Sequence, residues 1–333
     1  MNFCTHTYDD ITSLENLLGA WKEFRCGKKN KKDVQEFERN LMTHIINLHT
    51  RLKTKPYRHG SYQHFKISDP KPRDIHKATV QDRLVHHAIY RVLYSYFDTK
   101  FIHDSYSCRD NKGTHKAIER FTYFTRKVSK NYTNQCFILK CDIRKFFANI
   151  DHAILVTILE KHISDQDILN LLKEIILSFN TKDKVSVGLP LGNLTSQLLV
   201  NIYMNEFDHY VKHQLKERYY IRYADDFVFV SEDKLKLEQR ILSIELFLKD
   251  HLKLEMHPDK VFIQTIHSGV DFLGWIHFPK HKVLRTSTRK RMFKRLIENE
   301  YKEESVNSYL GLLGHGNGYD LAQNILNNPE FLK

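Results

Sequence analysis

The chain alternates between long stretches with an apolar residue every three or four positions and short runs that are apolar at nearly every position. The first pattern predicts helices with one buried stripe; the second predicts strands covered on both faces. Residues 12–53 read as two helices separated by a basic loop, Arg25-Cys-Gly-Lys-Lys-Asn-Lys-Lys32, with Gly27 as the breaker. Pro56, Gly60, Pro70 and Pro72 make residues 55–77 strand and loop. A helix is expected from about Gln81 to Tyr96, with Leu84, Ile89, Val92 and Leu93 inward, then a turn over 105–113 and a helix from Thr114 to Lys127. Residues 136–143 (CFILKCDI) have strand character, and Asp151 is placed to cap a helix whose inner face carries Leu155, Ile158 and Leu159. Two glycines and a proline in 184–192 predict a shaped loop. Leu199, Tyr203, Phe207, Val211 and Leu215 repeat every four residues and predict one helix from Asn193 to about Leu215. Tyr219–Tyr223 and Phe227–Val230 join through Ala-Asp-Asp, which predicts a hairpin with acids at its tip. A helix from Leu235 to Leu252, a short strand and a turn region over Gly269–Phe278 follow. From Arg285 the chain reads as helical and basic, with Gly311, Gly314, Gly316 and Gly318 punctuating its end.

Composition narrows the partners. A chain of 333 residues with 41% hydrophobic and 12% aromatic content has material for two or three packed subdomains. Lysine and arginine number 52 against 40 acids, a formal charge of +12, which favours a polyanionic partner over a protein that is merely basic. The five cysteines, Cys4, Cys26, Cys108, Cys136 and Cys141, are odd in number and form no C-x-x-C pair. That argues against a disulfide framework or a zinc module and for a reducing compartment. The twenty histidines are scattered, with His86-His87 the only adjacent pair. The start of the chain lacks a signal-peptide pattern, and no apolar run approaches the ~20 residues of a membrane span. The expectation is a soluble cytoplasmic protein with no membrane partner.

Asp225-Asp226 sits between two strands apolar at nearly every position. Acids favour turns, so a solvated Asp-Asp turn is the simpler reading. Asp142 changes it, because it ends another apolar strand, a poor place for a lone exposed acid. If the two strand systems are neighbours in one antiparallel sheet, three carboxylates converge at one edge. Such a set suits Mg²⁺, which takes carboxylates together with substrate phosphates and water. Two ions ~3.5–4 Å apart can clamp the attacking and leaving oxygens of an in-line phosphoryl displacement. Asp142 and Asp225 would hold both ions, with Asp226 on the side of the attacking hydroxyl.

Tyr223-Ala-Asp-Asp226 resembles the signature of reverse transcriptases, and Lys140-Cys-Asp-Ile-Arg-Lys-Phe-Phe-Ala-Asn-Ile150 resembles that family's first catalytic motif. The resemblance runs from about Lys55 to Phe278 with the motifs in the family's order. It implies an α+β right-hand polymerase: N-terminal helices and fingers over 1–137, palm over 138–160, a fingers/palm insertion over 161–190, palm with the catalytic hairpin over 191–280 and a small helical thumb over 281–333. The activity implied is RNA-directed DNA synthesis from dNTPs on a primed RNA, with two Mg²⁺ ions (Mn²⁺ as a substitute) held by Asp142, the Ile143 backbone carbonyl, Asp225 and Asp226. Phe147 stands where the family keeps an aromatic steric gate against a ribose 2′-hydroxyl; the alternative for Phe146-Phe147 is core packing, and one of each is expected, Phe146 buried and Phe147 at the nucleotide. Arg73 matches the arginine that grips the incoming triphosphate, and Lys66 is a candidate lysine partner. Arg83 either meets phosphate or braces the fingers. Lys260, in His257-Pro-Asp-Lys260, either lies near the triphosphate or is a plain solvated lysine. Leu273 and Gly274, in Phe272-Leu-Gly-Trp275, resemble the turn that holds the primer end.

The loop Gly188-Leu-Pro-Leu-Gly-Asn-Leu-Thr-Ser-Gln197 discriminates within the family. Retroviral and group II intron enzymes commonly carry glutamine before the second glycine, and intron enzymes continue to Ser-Pro. Leu191, before Gly192, and Ser196-Gln197 depart from that and resemble reverse transcriptases of diversity-generating retroelements. Asp82-Arg-Leu-Val-His-His-Ala88, Cys108-Arg-Asp-Asn-Lys-Gly-Thr-His-Lys-Ala117 and Ser308-Tyr-Leu-Gly-Leu-Leu-Gly-His-Gly-Asn317 also look like that group. Leucine offers shape but no hydrogen-bond donor, and in that group the apolar residue goes with misincorporation opposite template adenines. The resemblance implies a small basic oligomeric accessory protein and a structured RNA that supplies the template. Arg285, Arg289, Lys290, Arg291, Lys294 and Arg295 read either as a solvated helix face or as a clamp on the template–primer backbone. The loop Lys28–Lys32 would meet template RNA or an acidic protein. The rival readings are a retron, abortive-infection or group II intron-like reverse transcriptase, and a catalytically idle RNA-binding protein on the same fold.

Overall fold

The computed structural model describes residues 3–55, 57–68, 72–181 and 184–327; Pro56, Pro70 and Lys71, read above as loop, lie outside them. After a short helix α1 (Tyr8–Thr12), residues 12–53 hold three helices rather than two: α2 (Leu14–Arg25), α3 (Lys32–Arg39) and α4 (Leu41–Lys53). The extra breaks fall at short polar residues that compete with the helix for hydrogen bonds. Ser13 turns extended (ψ 146°) and caps α2 by accepting from the Asn16 amide, and Asn40 leaves helical angles between α3 and α4. A hairpin of β1 (Gln63–Ile67) and β2 (Arg73–Lys77) precedes α5 (Val80–Asp98) and α6 (Thr114–Val128).

Strand β3 (Phe137–Asp142) leads into α7 (His152–Glu160), α8 (Gln166–Leu177) and α9 (Leu194–His209). Asp151 caps α7 as expected, accepting from the Ile154 amide at 3.0 Å. The helix expected to reach Leu215 changes pitch at its end: α9 continues as a π-helical turn over Tyr210–Gln214. The wider turn keeps Val211 in the core while Tyr210 stacks on Phe247, centroids 4.2 Å apart. Then come β4 (Tyr220–Tyr223), β5 (Asp226–Ser231), α10 (Lys234–Leu252) and β6 (Phe262–Thr265), followed by β7 (Val270–Phe272), β8 (Trp275–His277), β9 (Lys282–Leu284) and the helices α11 (Thr286–Glu298), α12 (Glu303–Leu313) and α13 (Tyr319–Leu326).

The central sheet is antiparallel with order β4-β5-β3-β6. Its strands lack polar alternation because both faces are covered. Leu139, Cys141, Tyr220, Phe227 and Phe229 join the large core with α5, α7, α9 and α10. Ile138, Ile221, Val228 and Val230 point the other way, onto Phe121 and Phe124 of α6. A third core forms where Trp275 and Leu284 meet Met292, Leu296, Val306, Leu313 and Ile325 of the last helices. The β1–β2 hairpin is different: every residue of β1 is exposed. A ladder of rings ties it to the body. His59 stacks on Tyr62 (4.7 Å), Tyr62 meets Phe179 edge-on (5.8 Å), Phe179 meets His76 (4.7 Å) and His76 meets His64 (4.9 Å).

Candidate active site

Strands β3 and β5 pair in a register that sets Asp142 directly opposite Asp226. Directly opposed residues share a face, and this face also carries Lys140, Val228 and Val230, on the α6 side. The hairpin turn is only two residues long, because Tyr223 pairs with Asp226 and leaves Ala224 and Asp225 at the tip. Ala224 takes φ +56°, uncommon for a residue with a Cβ. The Ile143 amide donates to the Asp225 carbonyl at 3.2 Å, and the His257 amide donates to the Asp142 carbonyl at 2.7 Å. Backbone bonds therefore lock the first motif, the hairpin turn and the segment before Lys260 into one block, and the three aspartates share one end of the sheet.

Two lysines reach these acids. Lys260 donates to Asp142 Oδ1 at 2.8 Å, so it is part of the acidic cluster rather than a plain solvated lysine. Lys140, buried within β3, lies 3.5 Å from Asp226 Oδ2 and donates to the Asp271 carbonyl at 2.7 Å. Burial raises the Asp225 carboxyl above the usual carboxylate range, with Asp142 adding to the effect and Lys260 and Arg73 opposing it. Burial pushes Asp226 up to about 7 despite Lys140, with Asp142 and Asp225 adding their repulsion. Asp226 Oδ1 is buried with no hydrogen-bond partner. Two acids held above their ordinary range, beside an unpartnered buried carboxylate oxygen, form a site that gains from a cation. All-oxygen donors suit a hard divalent ion. Among the described residues no three acidic, histidine or cysteine side chains form a ready cage for one ion. Asp142, Asp225 and Asp226 would hold such an ion together with substrate oxygens, with Lys260 competing for Asp142.

The nucleotide-facing candidates divide. Ile67 pairs with Arg73 and Lys66 with Asp74, so Arg73 and Lys66 lie on opposite faces of the hairpin. Arg73 shares its face with Ile75, which packs toward Gly192, and its charge acts on Asp225. Lys66 lies on the ring-ladder face with His64 and His76, and the hairpin does not bring it beside Arg73. Arg83 donates to Asp33 at 2.6 Å and lies over the Phe24 ring, so it braces the helices.

The loop with Leu191 is built against the same hairpin. The His76 amide donates to the Leu191 carbonyl at 3.1 Å, and Asn193 Nδ2 donates to the His76 carbonyl at 2.8 Å. Gly192 has φ +105°, and a Cβ there would stand 3.0 Å from Ile75 Cγ2, so both backbone angle and clearance require glycine. Phe146 is buried and Phe147 half-buried, rings 5.6 Å apart and edge-on. The Leu189 amide donates to the Phe147 carbonyl at 2.8 Å, which joins the two segments.

Leu273 and Gly274 form the two-residue turn between β7 and β8, at φ +50° and +89°. Two successive positive φ angles match the strand twist of a tight hairpin. Arg285 donates its amide to the Gly274 carbonyl at 3.1 Å and pairs with Asp271 at 2.6 Å, so it joins this turn to α11. The other α11 charges part into two groups: Arg289, Lys290 and Lys294 rim a groove against α13, floored by Phe293, Ile297 and Leu321, whereas Arg291 and Arg295 do not line it.

Sequence reasoning passed over Lys140 and Arg222, each a cation inside an otherwise apolar strand. That pattern is itself a signal, since such a charge is tolerated only with a partner. Arg222 is fully buried and forks onto Asp208 of α9, with Nη2 2.6 Å from Oδ2 and Nε 2.8 Å from Oδ1. Its Nη1 donates to the Ala224 carbonyl in the Ala224-Asp225 turn at 3.2 Å.

Comparisons with known proteins bear on this arrangement. A family model described as "Reverse transcriptase (RNA-dependent DNA polymerase)" matches residues 66–277. The chain is 26% identical to Protein YkfC of Escherichia coli over 258 residues, covering 67% of this chain and 66% of that protein. It is 23% identical to the Group II intron-encoded protein LtrA of Lactococcus lactis over 314 residues, covering 74% of this chain and 50% of LtrA. It thus spans between half and two thirds of these two relatives. Its fold is similar to a chain in a structure of telomerase from Candida albicans with a fragment of telomeric RNA, TM-score 0.53 at 12% identity, covering 78% of this chain and 54% of that one. Among the described residues no helix is long and apolar enough to cross a membrane.

Proposed function

The chain belongs to the reverse transcriptase family, and from that premise we propose that it is an RNA-directed DNA polymerase acting through Asp142, Asp225 and Asp226. The observation that carries the proposal is the β3–β5 register, which opposes Asp142 to Asp226 and leaves Asp225 beside them in the turn. In this reading the central sheet is the palm, the β1–β2 hairpin belongs to the fingers, and α11–α13 form the thumb. Asp142 and Asp225, with the Ile143 carbonyl, would hold two Mg²⁺ ions, and Asp226 lies on the side of the primer 3′-hydroxyl. When bound, such ions neutralise charge on the attacking and leaving oxygens of phosphoryl transfer. Arg73 contributes a charge-assisted contact to the triphosphate, and Phe147 offers the ring that excludes a 2′-hydroxyl. Lys260, paired with Asp142 when no ion is bound, would be placed to meet the triphosphate. Leu273-Gly274 would seat the primer end, and Arg289, Arg291, Lys294 and Arg295 the duplex backbone. The test is primer extension with dNTPs on an RNA template, with and without Mg²⁺ and with Mn²⁺ as substitute. Loss of synthesis in Asp225→Asn supports the assignment; retained synthesis rejects it.

We further propose the diversity-generating subtype, in which the enzyme makes error-prone cDNA opposite template adenines with a small basic accessory protein as partner. Leu191 supports this, because a loop anchored on the fingers hairpin presents an aliphatic side chain where a glutamine would supply a donor. Sequencing products made by Leu191→Gln should show fewer errors opposite adenine; an unchanged error spectrum rejects the subtype. The similarity to LtrA favours the second reading, an intron-type enzyme, for which the wild-type chain would copy adenines faithfully.

A further inference from the structure

Arg222 stands directly behind the catalytic turn and contacts neither solvent nor the face on which the acids lie. Its guanidinium has four kinds of partner. It forks onto Asp208 of α9, donates to Asn201 Oδ1 at 3.2 Å, to Ser105 Oγ at 3.1 Å, and to the Ala224 carbonyl at 3.2 Å. Asp208 is fully buried too, and also accepts from the Tyr220 hydroxyl at 2.8 Å. The backbone repeats the linkage: the Arg222 amide donates to the Asp104 carbonyl at 2.9 Å, and the Tyr106 amide donates to the Arg222 carbonyl at 3.0 Å. Asn201 in turn donates to the Ser107 carbonyl at 2.9 Å. Three separate segments, α9, the 104–107 loop and the Ala224-Asp225 turn, therefore meet on one side chain.

A buried ion pair adds little to stability over an apolar pair of the same size. Burying this pair alone does not explain why one arm reaches the carbonyl of Ala224. That residue sits at φ +56° immediately before Asp225, an angle that persists only where surrounding contacts hold it. The Asp225 carbonyl in turn receives the Ile143 amide, which sets the spacing between the turn and β3. We infer that Arg222 is a positioning residue for polymerisation: braced by Asp208, it holds the Ala224 carbonyl and so fixes where the Asp225 carboxylate stands relative to Asp142. The inference rests on the polymerase reading above.

Two variants test it. Asp208→Asn with Arg222→Gln removes both buried charges together, which avoids an unpaired ion, and the glutamine is too short to reach Ala224. Arg222→Lys keeps a charge beside Asp208 but has no fork to serve the turn as well. Single-turnover primer extension separates active fraction from rate. For both variants the burst rate should fall by up to about 10²-fold, the scale of a 1 Å misplacement, with burst amplitude and the KM for dNTP near wild type. Hydrogen exchange of the Ile143 amide in the metal-free protein should also quicken. A burst amplitude that falls while the rate is unchanged assigns Arg222 to folding alone and overturns the inference. So does a wild-type rate in Arg222→Lys, which would mean that charge suffices. A wild-type chain unable to polymerise overturns the polymerase reading and this inference with it. An active wild type with an equally fast double variant overturns the inference alone.

Discussion

In the proposed polymerase reading the central sheet, as palm, and the β1–β2 hairpin, as fingers, bring charge to one reaction, and they are built in opposite ways. In the palm, β3, β4 and β5 are covered on both faces, and the acids stand at the strand ends, pinned by backbone bonds, by Lys140 and, through Ala224, by Arg222. In the fingers, β1 is exposed throughout, and the hairpin touches the body through a ladder of rings and the Leu191–Asn193 loop. Buried carboxylates need a rigid mould because each would otherwise relax toward water or take a proton. An arginine proposed to close on a nucleotide and release pyrophosphate needs few anchoring contacts. In that reading the difference leaves geometry to the palm and capture to the fingers.

The sharpest test of that division lies in the palm. Asp225→Asn should lower polymerisation by at least about 10³-fold, the upper end for loss of one preorganised electrostatic group. Its melting temperature should hold or rise, because a raised carboxyl has been replaced by a neutral amide. A lowered melting temperature would mean the acid supports the fold. The matching fingers test is Arg73→Ala. Loss of a charge-assisted bond of ~1.5–3 kcal/mol should raise the KM for dNTP by roughly 10- to 100-fold and leave kcat and thermal stability nearly unchanged. A fall in kcat with KM unchanged would give Arg73 a role in the transition state and blur the comparison.

Burial in the palm also carries a pH signature. Asp226 titrates near 3.8 when unfolded and at about 7 when folded. Between those values the folded chain holds a proton that the unfolded chain has lost. The contribution of this one group to the stability of the metal-free protein should therefore fall as pH rises from 4 to 7, by at most ~1.4 kcal/mol per pH unit, and level off above, against the opposite trend set by the buried histidines His86, His87 and His277, which burial holds below their ordinary value. Asp226→Asn should remove that contribution, so the stability difference between wild type and variant should move against the wild type between pH 4 and 7, and Mg²⁺ should recover wild-type stability at neutral pH. A stability difference between wild type and Asp226→Asn that stays constant over this range would contradict the buried-acid account. The smallest effect belongs to the contact between the two regions: Gly192→Ala meets both φ +105° and Ile75. A cost of ~1–3 kcal/mol for the strained backbone should loosen the hairpin and raise the KM for dNTP several-fold; an unchanged KM would uncouple the loop from the fingers.

The elements that were legible in the sequence were those whose apolar pattern decides burial. Uniformly apolar strands announced a sheet covered on both faces, and Asp142 at a strand end announced the meeting with the hairpin. The breaks at Ser13 and Asn40 were not legible, because one polar residue inside a helical rhythm either caps or continues a helix according to its neighbours. Nor was the pitch change at Tyr210, which depends on packing against Phe247. In the site, Arg73 and Lys66 were matched as partners by family resemblance, and only the strand register set them on opposite faces. Arg222 escaped attention because its partner Asp208 is fourteen residues away on another element.

The measurement closest to the central claim is single-turnover extension of a primed RNA by the wild-type chain and by Asp142→Asn and Asp225→Asn, each titrated with Mg²⁺. The account predicts Mg²⁺-dependent DNA synthesis by the wild type and none above background by either variant, with all three proteins equally folded. DNA synthesis by either variant at the wild-type rate would contradict it.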